Sequence, residues 1–73
     1  MLLEQQILEY LVNDWRTRKN ENIDETAFVS IFGDGQNVRD ILKSLQLRGY
    51  VTVSYGDDTF YLISLTEKFK RKY

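Results

Sequence analysis

Between residues 50 and 64 the chain changes its period. "YVTVSY" alternates, with Val51, Val53 and Tyr55 on one side and Tyr50, Thr52 and Ser54 on the other. "TFYLIS", 59–64, is again β-branched and aromatic, and Gly56-Asp57-Asp58 between the two runs reads as a hairpin loop. The rest of the chain is helical or turn-like in pattern, so a β-hairpin must share one small core with helices. Seventy-three residues make one domain, 1–73, and there is no Cys to staple it. Stability must come from apolar packing or from a second subunit. A hydrophobic share of 42% is enough for a compact core.

Residues 2–18, "LLEQQILEYLVNDWRTR", carry Leu3, Ile7, Leu11 and Trp15 as an i, i+4 ladder, broadened by Leu8, Tyr10 and Val12. Glu9, Arg16, Asn13 and Gln5 lie opposite. The apolar arc is wider than the ~100° stripe that one core face needs. It fits either a helix sunk deep in a small core or one that meets a core on one side and a partner on the other. "TRKNENI", 17–23, is turn-like, and Ile23 is placed to start a very short strand. Asp24 reads as an N-cap with Glu25 in the first turn. Ala27, Phe28, Ile31 and Phe32 supply a short second helix, which Gly33 stops. Asp34 is placed to cap a third helix over 35–48, "GQNVRDILKSLQLR". There Val38, Ile41, Leu42 and Leu45 share a face and Gly49 ends the helix. Ser64-Leu65-Thr66-Glu67 has the form of a capping box that opens a short final helix. Leu65, Phe69 and Tyr73 give that helix one apolar edge.

Composition excludes much chemistry. With no His and no Cys, the usual general base and thiolate nucleophile are missing, so an enzyme is not expected. His/Cys metal sites are impossible, and no cofactor or metal is expected. No apolar stretch approaches membrane-spanning length and there is no signal-peptide pattern, which points to a cytoplasmic protein without membrane contact. The net charge is −1, which does not by itself point to nucleic acid. Its distribution is uneven. Residues 1–30 hold six acids against three bases, whereas the last ten hold Lys68, Lys70, Arg71 and Lys72 against Glu67 alone.

The order helix, helix, turn, helix, hairpin, helix brings the chain to a family likeness. Two short helices joined by a tight Gly-containing turn make a helix-turn-helix, and a hairpin after the third helix is a wing. The chain resembles the winged helix-turn-helix superfamily of bacterial, archaeal and phage regulators over nearly its whole length. The likeness rests on "ILEYL", on "DETAFVSIFG" followed by "NVRDILKSLQLRGYV", and on "FYLISLTEKFK". Many such proteins run from the third helix into Leu-x-x-x-Gly-Tyr-Val, as Leu45 to Val51 does. Many also carry Leu-Thr-x-x-Gly after the wing, where this chain has Leu65-Thr66-Glu67-Lys68 and then Phe69 in place of Gly. The bulky group implies that the final helix packs on a core or a partner. The expected fold is α+β and mostly helical: a three-helix core, a two-stranded wing and a short C-terminal helix.

The resemblance implies DNA binding, with the third helix in the major groove. Gln36, Asn37, Arg39, Asp40 and Lys43 are then candidates to meet base edges, since Asn and Gln match adenine and Arg and Lys match guanine. Polar residues also occupy the outer face of any helix. Asp40 sits awkwardly for phosphates; it suits a cytosine amino group, or a pairing with Lys43 or Ser44. Phosphate candidates are Arg16, Arg18, Lys19, Ser44, Arg48, Lys68, Lys70, Arg71 and Lys72. Leu8, Val12, Trp15, Leu65, Phe69 and Tyr73 are candidates for a homodimer interface. "YGDD" in a strand–turn–strand also reads like the metal-binding turn of viral RNA-dependent polymerases. That turn needs further aspartates on a neighbouring strand and a palm-like domain, which are absent here. At a wing tip, Asp57 and Asp58 repel phosphates and argue against the wing as a DNA anchor. The alternative is a winged-helix module that binds protein or dimerises without touching DNA, an idea favoured by the near-neutral charge, the acidic tip, Leu47 and the wide first helix.

Overall fold

The computed structural model describes residues 2–56 and 59–73. The acidic pair Asp57 and Asp58 lies outside the described residues. The elements run α1 (Leu3–Arg18), β1 (Asn22–Asp24), α2 (Glu25–Phe32), α3 (Gln36–Leu47), β2 (Val51–Gly56), β3 (Thr59–Leu65) and α4 (Glu67–Lys72). The fold is α+β and mostly helical, with a small antiparallel sheet in the order β1-β3-β2. The hairpin therefore gains a third strand. Ile23 sits at the centre of β1, opposite Ile63, and Ile63 in turn pairs with Val53. This row of three apolar residues crosses the sheet on its covered face. The neighbouring row, Asn22, Ser64 and Thr52, faces outward, and the Ser64 hydroxyl donates to Asn22 Oδ1 at 2.9 Å. The β2–β3 register slips by one residue between Ser54 and Tyr55.

Every helix contributes to one core. Ile7 and Leu11 come from α1, Phe28 from α2, and Val38, Leu42 and Leu45 from α3. Val51, Leu65 and Phe69 close it from the hairpin and α4. Two aromatic groups seal its sides. Tyr10, Phe28 and Phe32 meet with centroids 5.0–6.1 Å apart. Tyr50, Phe69 and Tyr73 meet at 4.8–6.5 Å. Edge-on and tilted ring pairs of this kind add to simple area burial.

The caps show why the elements stop where they do. Lys19 takes a left-handed turn (φ 54°) to end α1, and its N–H reaches the Trp15 carbonyl at 2.9 Å. Asn20 then folds back onto the buried Asp14, donating to Oδ2 at 2.8 Å. Asp24 caps α2 by accepting from the Thr26 N–H at 3.0 Å. Gly33 ends α2 at φ 80°. Two expected caps are corrected. Asp34 does not cap α3: the N-cap is Gly35, which has no side chain to offer. Ser64 does not open α4 either, because strand pairing holds it inside β3; the cap is Thr66, which accepts from the Phe69 N–H.

Among the described residues, no helix is long and apolar enough to cross a membrane.

Candidate nucleic-acid interface

The turn Gly33-Asp34-Gly35 ends one helix and starts the next within three residues, and so sets the direction in which α3 leaves α2. Side chains on α3 advance by about 100° per residue. With Val38, Leu42 and Leu45 buried, Gln36, Asp40, Lys43 and Leu47 form a stripe on the opposite side, and all four are exposed. Gln36, Arg39, Asp40 and Lys43 line one shallow depression of about 250 Å³. Four of the five base-edge candidates are thus together. Asn37 is exposed but lies round the helix, on the flank that also carries the half-buried Ser44.

Hydrogen bonds orient this group. Gln36 Nε2 donates to Asp40 Oδ1 at 2.8 Å, so among the described residues Asp40 pairs with Gln36 and not with Lys43 or Ser44, the latter pairing being one of the two alternatives open for it. The pair is an i, i+4 contact across one turn, and it removes part of the carboxylate's appetite for an external donor. Arg39 Nε donates to the Asp34 carbonyl at 3.1 Å, which ties the guanidinium to the α2–α3 turn. Lys43 has no carboxylate partner among the described residues.

The phosphate candidates divide sharply. Arg48 pairs with Glu4 at 3.1 Å, and Arg18 sits 3.8 Å from Asp14. Lys70 is clasped by Glu21 and Glu67 and is mostly buried. Hydrogen bonds from Lys70 to Glu21 and Glu67 hold its ammonium above the ordinary lysine range, and the same bond keeps the Glu67 carboxyl below its own. Lys70 is thus committed to the fold, whereas Arg18 and Arg48 stay exposed and hold only surface pairs. Arg16, Lys19, Lys68, Arg71 and Lys72 have no carboxylate partner among the described residues. Lys19 lies over the Trp15 ring at 4.9 Å.

A second basic cluster surrounds Tyr50, a grouping that sequence reasoning missed. Lys68 and Lys72 lie 4.9 and 5.2 Å from its ring centre. Lys72 Nζ donates to the Tyr50 hydroxyl at 3.0 Å, and Lys68 Nζ donates to the Arg48 carbonyl at 2.7 Å. The Lys72 hydrogen bond, helped by the charges of Lys72, Lys68 and Arg48, holds the Tyr50 phenol below its ordinary range. Lys72 is raised in return, chiefly by its bond to Tyr50. The only signal in the sequence is that Lys68 and Lys72 are i, i+4 on one face of α4; the position of Tyr50 between them depends on the tertiary fold. The cluster sits at the C-terminal end of α3, roughly 18 Å along the helix from Gln36. The bases therefore do not gather on one face.

The dimer candidates also divide. Phe69 is 0% exposed and Leu65 is 6% exposed, both inside this chain's own core, so neither is free to meet a partner. The wide apolar arc and the apolar α4 edge are in large part the covering of a small core. Leu8, Val12, Trp15 and Tyr73 are half-buried and remain at the surface.

No protein family, curated protein or solved structure matches this chain.

Proposed function

We propose that this protein is a winged helix-turn-helix domain that binds duplex DNA through α3, as a regulator of transcription and not as an enzyme. One observation carries the reading: Gln36, Arg39, Asp40 and Lys43 share one exposed depression on the first two turns of the helix that follows the tight Gly33–Gly35 turn. These are hydrogen-bonding side chains of the types that match base edges, at the end of the helix that meets them in helix-turn-helix proteins. The element order and the sheet order β1-β3-β2, with β2 and β3 as the wing, support the same assignment.

Arg39, Lys43 and the exposed Arg48 set the electrostatic scale. Three phosphate or base-edge contacts per chain give a slope of log affinity against log salt near −2.7, a loss of roughly 40-fold between about 50 and 200 mM salt. The experiment is a salt-titrated binding assay against a random duplex pool, with the selected sequences read out. Arg39→Ala with Lys43→Ala should flatten the slope to about −1 and relax sequence preference. No duplex binding at low salt, or binding indifferent to this double variant, defeats the proposal.

A second reading has its own observation. Leu47 ends the same α3 stripe at 84% exposed, an apolar side chain where DNA contact has little use for one. A protein-binding module would use Leu47 and would lose its partner on Leu47→Asp with no salt-sensitive DNA binding to lose.

A further inference from the structure

The outward side of α1 is used neither by the core nor by the α3 face. Gln5, Glu9, Asn13 and Arg16 are exposed there, opposite the buried Ile7 and Leu11, and the half-buried Leu8 and Val12 run along one edge. A shallow open depression of about 770 Å³ spreads over this side, reaching Phe32 at the end of α2 and Tyr73 at the end of α4.

The charges on this side identify the occupant. Glu9 and Arg16 have no ion-pair partner among the described residues. Arg16 Nε donates to the Tyr73 main-chain oxygen at 3.3 Å, which anchors the guanidinium at the rim. Glu9 and Arg16 lie on one line of the helix, seven positions or roughly 10 Å apart, with the acid nearer the N-terminus. This pattern is complementary to itself when a second α1 runs antiparallel across it. A two-fold axis between Val12 and Asn13 sets Glu9 of each copy level with Arg16 of the other and Val12 of each level with Asn13 of the other. A parallel pairing sets Glu9 against Glu9 and Arg16 against Arg16.

We propose that the outward side of α1 is a homodimer interface, with two α1 helices antiparallel across a two-fold axis and two reciprocal Glu9–Arg16 ion pairs flanking a Val12–Asn13 centre. A C2 interface of this kind places the same patch of both subunits in contact. The inference stands apart from DNA binding: it concerns a different face and holds or fails without any duplex present.

The test is sedimentation velocity of the full chain over a range of concentrations. The wild type should show a monomer–dimer equilibrium. Glu9→Arg sets like charges against each other twice, as does Arg16→Glu, and each should raise the dissociation constant by about tenfold or more. An equimolar mixture of the two variants should recover the dimer, because one copy then presents only positive groups and the other only negative groups. Both positions are exposed, and circular dichroism separates lost association from lost fold. A wild type that stays monomeric at every concentration overturns the proposal. So does a dimer indifferent to both reversals, or a mixture of folded variants that remains monomeric.

Discussion

At its C-terminal end α3 runs into a doubly bonded turn: the Gly49 N–H reaches the Gln46 carbonyl and the Tyr50 N–H the Leu45 carbonyl, each at 3.0 Å. This is the Schellman pattern, and Gly49 takes the positive φ of 83° that it requires. Side chains from α4 then bind the same corner. The Thr66 hydroxyl shares its proton between the Gly49 and Tyr50 carbonyls, and Lys68 reaches the Arg48 carbonyl. The N-terminal end of the same helix starts at Gly35 with no side-chain cap. Its first turn bears side chains that bond only to each other and to the preceding turn. One end of α3 is spent on holding the fold; the other carries no side-chain cap and only local bonds. A helix bound equally at both ends would have little left to offer a ligand.

The largest break in that contrast is expected at the held end. Phe69 is fully buried against Tyr50 and Tyr73. Phe69→Ala should cost about 3–5 kcal/mol in chemical denaturation, through lost transfer energy and the cavity left behind. A loss under about 1 kcal/mol accompanied by lost self-association would restore Phe69 to an interface role and undo the corner's place in the core.

Thr66 comes next. Its hydroxyl caps α4 and also ties α4 to the turn after α3. Thr66→Ala removes a cap and a hydrogen bond to part-buried carbonyls, together about 2 kcal/mol. Thr66→Ser keeps the hydroxyl and should retain most of this. If the two variants unfold alike, the hydroxyl does not hold the corner.

How much of this was readable from the chain depends on how local each feature is. Asp24 as a cap, Gly33 and Gly49 as stops and the Val51/Val53 alternation each involve residues within a few positions, and all match the structure. The failures come from competition or distance. In Ser64-Leu65-Thr66-Glu67 two hydroxyls compete for one cap, and the choice is made by β1 and β2, which hold Ser64 in the sheet. Asp34 loses its role because Gly35 takes the N-cap position. Phe69 pairs with Tyr50 from nearly twenty residues away, so whether its edge faced a core or a partner could not be decided from i, i+4 spacing. The same distance hides Arg48–Glu4, Lys70–Glu21 and the lysines around Tyr50. The Gln36–Asp40 bond is the reverse case: it is local, at i, i+4, and compositional suspicion of Asp40 obscured it.

The smallest predicted effect falls on the open end of α3, and it separates folding from binding there. A Cβ added at Gly35 meets nothing within 4 Å, and its φ of −69° suits any L residue. Gly35→Ser adds the missing cap and should stabilise the chain by about 0.5 kcal/mol. The same change two residues earlier, Gly33→Ser, forces a side chain into φ 80° and should destabilise by about 1 kcal/mol. Gly35→Asp supplies a cap too, but with a charge beside Gln36 and Arg39. If α3 meets phosphate or base edges there, Gly35→Asp should weaken duplex binding while Gly35→Ser leaves it nearly intact, although both raise stability. Equal binding by both capped variants would mean that the uncapped end is merely solvated. The contrast between the two ends of α3 would then describe how the helix is built and nothing about what it touches.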